Sequence, residues 1–198
     1  MFDLDHFRAD CHAAVLASSS PEVVIRELLG RAIAEPSSVA DALGPPREGG
    51  LFVLHRSRAL TILNVVWTPG MAIYPHDHRM WAVIGLYGGR EDNTFYRRGP
   101  QGLVVAGTKR LERTETALLG EGIIHAVANP LREFTGAIHI YGGDFFGVPR
   151  SEWTPDTLVE RAFDAQRARQ VYADANERWK RGTGRRGEGK PCRTSSPT

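Results

Sequence analysis

Apolar residues recur at helical spacing over residues 2–17 and again over 21–34, with polar residues on the remaining faces. Between the two stretches, "SSSPE" offers Ser20 as a helix cap and Pro21 for the first turn. The helical period stops at "ALGPPREGG". From Leu51 to about Tyr141 it gives way to short runs rich in Val, Ile, Leu and aromatics, punctuated by Gly, Pro and Asn. Examples are "LFVLH", "LTILNVVW", "WAVIGLY", "NTFYRR", "GLVVAG", "TALL", "IIHAVA" and "FTGAIHIY". That many closely spaced strands predicts an all-β sandwich or barrel. After "GVPR", helical spacing returns over 155–179. The expected organisation is a helical segment over 1–45 packing on a barrel over 46–150, then a C-terminal helix over 151–180.

Composition changes this picture mainly at the end. From Lys180 the chain reads "KRGTGRRGEGKPCRTSSPT", with almost nothing apolar to bury, so 181–198 is expected to be a disordered basic tail. It carries most of the basic excess behind a formal charge of only +2, and no aromatic residues interleave its arginines. Nucleic acid is therefore not an expected partner. A length of 198 residues with 41% hydrophobic positions suits one domain with a full core. Cys11 and Cys192 have no spacing that suggests a disulfide framework or a zinc knuckle, and a reducing cytoplasm is the simplest expectation. No run approaches the roughly 18 apolar residues of a membrane span, and the acidic start "MFDLDHFRAD" does not read as a signal peptide. No membrane partner is expected, whereas a homodimer is compatible with the sequence.

The candidate chemistry begins at "YPHDHRMWAVIG". On a strand, residues i and i+2 share a face, so His76 and His78 point one way and Asp77 the other. Such a pair reads either as two metal ligands or as two surface histidines near a turn. A third histidine, His125, stands further along in "GEGIIHAVANP". The segments "GMAIYPHDH" and "GEGIIHAVANP" read G-x5-H-x-H and G-x-x-H-x3-N, and they resemble the paired motifs of the cupin superfamily, small double-stranded β-helix barrels. The resemblance implies a jelly-roll barrel in which His76, His78 and His125 meet at one metal.

Typical cupins add a Glu four or five residues after the second histidine, where this chain has Ala82 and Val83. The resemblance therefore narrows to the thiol dioxygenases, cupins that bind iron through three neutral histidines: cysteine dioxygenase and, more closely, bacterial mercaptopropionate dioxygenase. "HDHRMWAVIG" followed by "GGRE", the "IHAVAN" segment and "AIHIYGGDFF" carry it over roughly residues 60–150. His139 and Tyr141 match that family's His-x-Tyr pair and are implied to be catalytic. Arg150 stands where mercaptopropionate dioxygenases hold the substrate carboxylate. The chain departs from the family at Ala137, where the family has serine, and at Val83, where the cysteine of a Cys–Tyr crosslink would fall. The carboxylate-binding arginine of cysteine dioxygenase would fall near "LFVLHRS", which leaves His55 or Arg56 as second candidates.

The chemistry fits these residue types. Imidazoles suit Fe(II), and three on one face leave adjacent positions for a thiolate and dioxygen. The implied protein is a non-haem iron dioxygenase, with O2 as co-substrate, that oxidises a small thiol to its sulfinate. Other divalent metals remain compatible, as do a cupin isomerase, a non-thiol oxygenase and a metal-dependent binding protein without turnover. Glu91, in the charged run "GGREDNTFYRR", reads as part of a solvated or salt-bridged strand, or else as a fourth ligand or a partner of a ligand. Trp67, Trp81 and Phe95 read as core or pocket wall, and His6, His12 and His55 as non-ligands.

Overall fold

The computed structural model describes residues 1–100 and 102–187, with side chains as far as 182. Three helices lead, α1 (Leu4–Ala17), α2 (Pro21–Ile33) and α3 (Pro36–Leu43). The strands are β1 (Gly50–Arg56), β2 (Thr61–Trp67), β3 (Ala72–Asp77), β4 (Ala82–Gly88), β5 (Arg90–Gly99), β6 (Gly102–Glu112), β7 (Thr116–Leu119), β8 (Ile124–Ala128), β9 (Thr135–Tyr141), β10 (Ser151–Trp153) and β11 (Glu160–Ala162), and α4 (Ala165–Gly187) follows.

The strands pair antiparallel in two sheets, ordered β1-β2-β9-β4-β7 and β11-β10-β3-β8-β5-β6. Setting aside the edge strands β1, β10 and β11 leaves two four-stranded sheets, β2-β9-β4-β7 and β3-β8-β5-β6. That order is the jelly roll of two Greek keys, so the fold is a double-stranded β-helix barrel, mainly β, with N-terminal helices and a C-terminal helix.

The two sheets differ in what covers them. The first is buried on both faces, so β2 and β9 show no exposed position at all. Leu63, Val65 and Trp67 of β2 point into the barrel, while Ile62 joins Val83, Ile138 and Ile140 under Ile25, Leu29 and Ile33 of α2. This double burial explains why those strands read as unbroken apolar runs. Gly85 permits the contact: a Cβ there would lie 2.6 Å from Leu29 Cδ2. The second sheet keeps one wet face, most plainly on β6, where Leu103 and Leu111 alone are buried. α4 closes the barrel by inserting Ala168, Tyr172 and Ala175 into the interior cluster.

Three expectations need correction. A third N-terminal helix, α3, opens on Pro36 and buries Val39. Residues 151–162, assigned to the C-terminal helix, instead form β10 and β11, and α4 starts only at Ala165. Glu152 explains this: its buried carboxyl pairs with Arg161 and Arg167 and accepts the Asp164 backbone N–H, tying β10, β11 and the start of α4 together. At the far end α4 continues to Gly187, so 181–187 are helical rather than tail, while 188–198 and Cys192 lie outside the described residues. Cys11 is buried in α1, and burial, reinforced by the nearby Asp10 charge, pushes its thiol up to about 12. Among the described residues no helix is long and apolar enough to cross a membrane.

Candidate metal centre and the histidine–tyrosine pair

β3 and β8 lie side by side in a register that sets His76 directly opposite His125, and His78 follows just past the end of β3. The three rings form a near-regular triangle, with centroids 5.1, 4.8 and 5.0 Å apart. One ligand nitrogen from each lies within 4.8 Å of the others, and all three residues are buried. The chain carries Arg79 through a left-handed backbone, φ 57°, immediately after His78.

Hydrogen bonds set which nitrogen faces inward. His76 Nδ1 lies 3.0 Å from the Tyr74 carbonyl oxygen and His125 Nδ1 lies 2.8 Å from Asn93 Oδ1. Both partners accept, so both Nδ1 atoms carry the proton and both Nε2 atoms are left bare. His125 Nε2 is 3.4 Å from His78 Nε2. Two imidazoles each about 2.1 Å from one ion stand roughly 3.0–3.4 Å apart, so this edge fits a shared divalent metal. Burial lowers His76 to about 4, an effect only partly opposed by the Tyr74 carbonyl. It also holds His78 and His125 well below the ordinary histidine value, helped by the neighbouring imidazoles. All three are therefore neutral at pH 7 and fit to bind metal. Phe95 stacks on the His125 ring at 6.1 Å and 12°.

Among the described residues, the cluster contains no carboxyl group. Ala82 is an inward core residue and Val83 faces the helices. Glu91 is neither a solvated residue nor a member of the cluster. Along β5 the side chains alternate, Arg90 and Asp92 half-buried, Glu91 and Asn93 buried, and Glu91 is 0% exposed. Its Oε1 accepts the Trp67 Nε1–H at 2.6 Å and lies 3.1 Å from His139 Nε2. On the other side of that ring, His139 Nδ1 is 3.1 Å from the Tyr141 hydroxyl. Asn93 was not among the candidates from the sequence, although the same alternation that buries Glu91 would have found it.

One small cavity, about 40 Å³, is lined by His76, His78, His125, His139, Tyr141 and Arg150, and by apolar side chains. The loop after β9 folds back across the barrel mouth, held by the Thr61 hydroxyl, which donates to the Gly143 carbonyl at 2.7 Å and accepts the Phe145 N–H. Arg150 ends this loop with its guanidinium carbon 3.9 Å from the Phe145 ring and 3.8 Å from the Phe163 ring. One guanidinium nitrogen is buried without a hydrogen-bond partner, and burial pulls the group down to about 10. Arg56 is spent elsewhere, in a two-pronged pair with Asp144, and neither it nor His55 lines the cavity. Trp81 packs under the helices, whereas Trp67 stacks on Tyr172 of α4 at 5.6 Å.

No protein-family model matches the chain. Among solved structures it is similar to a cupin family protein with a double-stranded β-helix fold from Methanocaldococcus jannaschii, at 9% identity and TM-score 0.43, over 52% of this chain and 86% of that one. A Bacillus halodurans protein aligns at 15% identity and TM-score 0.46, over 53% and 77%. A cupin domain from Bordetella pertussis aligns at 24% identity and TM-score 0.37, over 50% and 97%.

Proposed function

We propose that this protein is a non-haem iron dioxygenase that converts a small thiol acid, such as mercaptopropionate or cysteine, to its sulfinate. The observation that carries the reading is the pairing, around one cavity, of three neutral histidines with a half-buried guanidinium that has one nitrogen without a hydrogen-bond partner. His76, His78 and His125 would hold the metal, and an all-histidine set leaves its 2+ charge undiminished for an anionic sulfur. Fe(II), if bound by these histidines, would supply redox and Lewis-acid chemistry there. The reaction balances without a further reductant: sulfur gives up four electrons, O2 takes four, and both oxygen atoms end on sulfur.

The remaining residues orient the substrate. The Arg150 fork, held flat between Phe145 and Phe163, presents parallel donors to a carboxylate. The Tyr141 hydroxyl, bonded to His139 at 3.1 Å, adds a hydrogen-bonding group to a lining rich in apolar side chains. At about 40 Å³ the cavity is small, which favours a substrate of few atoms. Tyr172 and Phe163 line the cavity on the α4 side.

The test is metal analysis of anaerobically purified protein followed by oxygen uptake with a panel of thiols. Iron-dependent uptake with mercaptopropionate or cysteine is expected. Arg150→Lys should raise KM for the thiol acid by one to two orders of magnitude, about 1.5–3 kcal/mol for a charged hydrogen bond, and should matter far less for cysteamine. An iron-replete protein that consumes no oxygen with any thiol would overturn the reading in favour of another cupin metalloenzyme class or of a binding protein.

A further inference from the structure

His139 is the buried histidine outside the metal cluster, and its two nitrogens have different partners. Nε2 faces Glu91 Oε1 at 3.1 Å and Nδ1 faces the Tyr141 hydroxyl at 3.1 Å. Three strands supply the chain of contacts: Trp67 from β2, Glu91 from β5 and the His139–Tyr141 pair from β9. Glu91 thus reaches across the barrel from one sheet to the other. Ala137, two residues before His139 on the same face, has no polar group to offer the ring.

The direction of these bonds follows from the one obligate donor. An indole N–H donates and never accepts. Trp67 Nε1 lies 2.6 Å from Glu91 Oε1, so that oxygen is an acceptor and carries no hydrogen of its own. The same oxygen must then accept from His139 Nε2. A neutral imidazole has one N–H, so Nδ1 is bare and accepts the Tyr141 hydroxyl. We propose that Glu91 is the positioning residue of this site: steadied by Trp67, it keeps the His139 proton on Nε2 and thereby turns the Tyr141 hydrogen away from the cavity. The phenol oxygen then meets the cavity as an acceptor, and a ligand group reaching it must bring the hydrogen. The effect on turnover rests on the thiol oxidation proposed above, whereas the order of the hydrogen bonds does not.

The hydrogen-bond order can be read by nitrogen NMR on full-length protein labelled with 15N-histidine, in metal-free and zinc-loaded forms, with His139 assigned by its loss in His139→Gln. In the wild type, His139 Nδ1 should resonate far downfield as a bare nitrogen and Nε2 upfield as a protonated one. Glu91→Gln should keep that pattern, because the Trp67 N–H holds the amide oxygen on its own side. Glu91→Leu should lose it, with the proton averaged or moved to Nδ1, and zinc content should be unchanged in both variants. With a thiol substrate, kcat should fall about tenfold in Glu91→Leu at similar KM, the size of one hydrogen bond, and recover in Glu91→Gln. A bare Nε2, a doubly protonated ring, or zinc lost with Glu91→Leu would overturn the proposal. If Glu91→Leu does not fold, the wild-type spectrum still decides, and Trp67→Phe, which removes the obligate donor, should shift the balance between the two tautomers. A protein that oxidises no thiol yet shows the expected tautomer would refute the proposed function and leave Glu91's role standing.

Discussion

Two histidine sites face the same cavity and are built in opposite ways. In the triangle of His76, His78 and His125, the two fixed rings donate to neutral acceptors, a backbone carbonyl and an amide oxygen. His139 instead meets a buried carboxyl group and a phenol. Neutral partners leave His76 and His125 each with a bare inward nitrogen, and the three-histidine cluster holds no carboxyl group, which suits a cation arriving from outside. A carboxyl partner fixes a proton instead, which suits a ring that orients another side chain. Identical side chains thus acquire different chemistry from what stands behind them.

The largest effect that would break this contrast comes from the ligands. His76→Ala, His78→Ala or His125→Ala should each strip most of the metal while the barrel folds, because its core is built from apolar side chains and the ligands line a cavity; His139→Gln should leave the metal in place. Metal stoichiometry on purified protein checks this, and full occupancy in two of the three Ala variants would end the assignment.

The next effect is on stability against pH. In metal-free protein, His76 titrates near 4, against an ordinary value of 6.5. As pH falls through 6.5 the unfolded chain takes up a proton that the folded chain refuses until about 4. Stability from this group is therefore full above about pH 6.5, declines across that window and is gone below it. The gap corresponds to about 3 kcal/mol for His76, and His78 and His125 act in the same direction. Urea midpoints of metal-free protein at pH 7 and pH 5 measure the slope. A flat profile would mean that the triangle is not closed to protons.

Much of the ligand site was legible because strand parity and ligand spacing are local: His76 and His78 share a face at two-residue spacing, and His125 falls in a second motif. The strands β1, β2 and β4–β9 were legible as short apolar runs between Gly, Pro and Asn. Glu91 and Asn93 were harder to read. "REDN" is charged enough to pass for solvated surface, and its inward set shows only when the alternation is counted with the strand buried on one side. β10 and β11 were illegible because three residues carry no period and Glu152, which anchors them, joins partners from distant positions. α3 was missed because eight residues with a single buried side chain hardly differ from a turn.

Asn93 gives the third effect. Replacing it with Leu should keep the size of the side chain but remove the acceptor that holds the His125 proton on Nδ1. Metal affinity should fall about ten- to a hundredfold, the usual consequence of losing a partner behind a ligand. Competition with a chelator reads the change. An unchanged affinity would mean that packing against Phe95, at 6.1 Å, orients His125 without help.

The smallest effect is expected at the residue between two ligands. Asp77 points away from the triangle, where Oδ1 accepts the Ser151 N–H at 2.7 Å and Oδ2 pairs with Arg79 Nε at 2.6 Å. Asp77→Ala should cost stability of about 1–3 kcal/mol, because it strands the Ser151 N–H, yet change metal affinity by no more than about twofold. The complication is Arg79, whose left-handed backbone turns the chain just after His78 and whose side chain Asp77 tethers. Asp77→Asn separates the two roles, since it still accepts from Ser151 but gives up the charge that holds Arg79. If both variants keep the metal, parity alone isolates the ligand face from the strand's other face. If Asp77→Asn alone costs more than about tenfold in affinity, the Arg79 tether is part of what aims His78, and the contrast between the two histidine sites narrows: the triangle too would depend on a carboxylate, acting through the backbone and not through a ring.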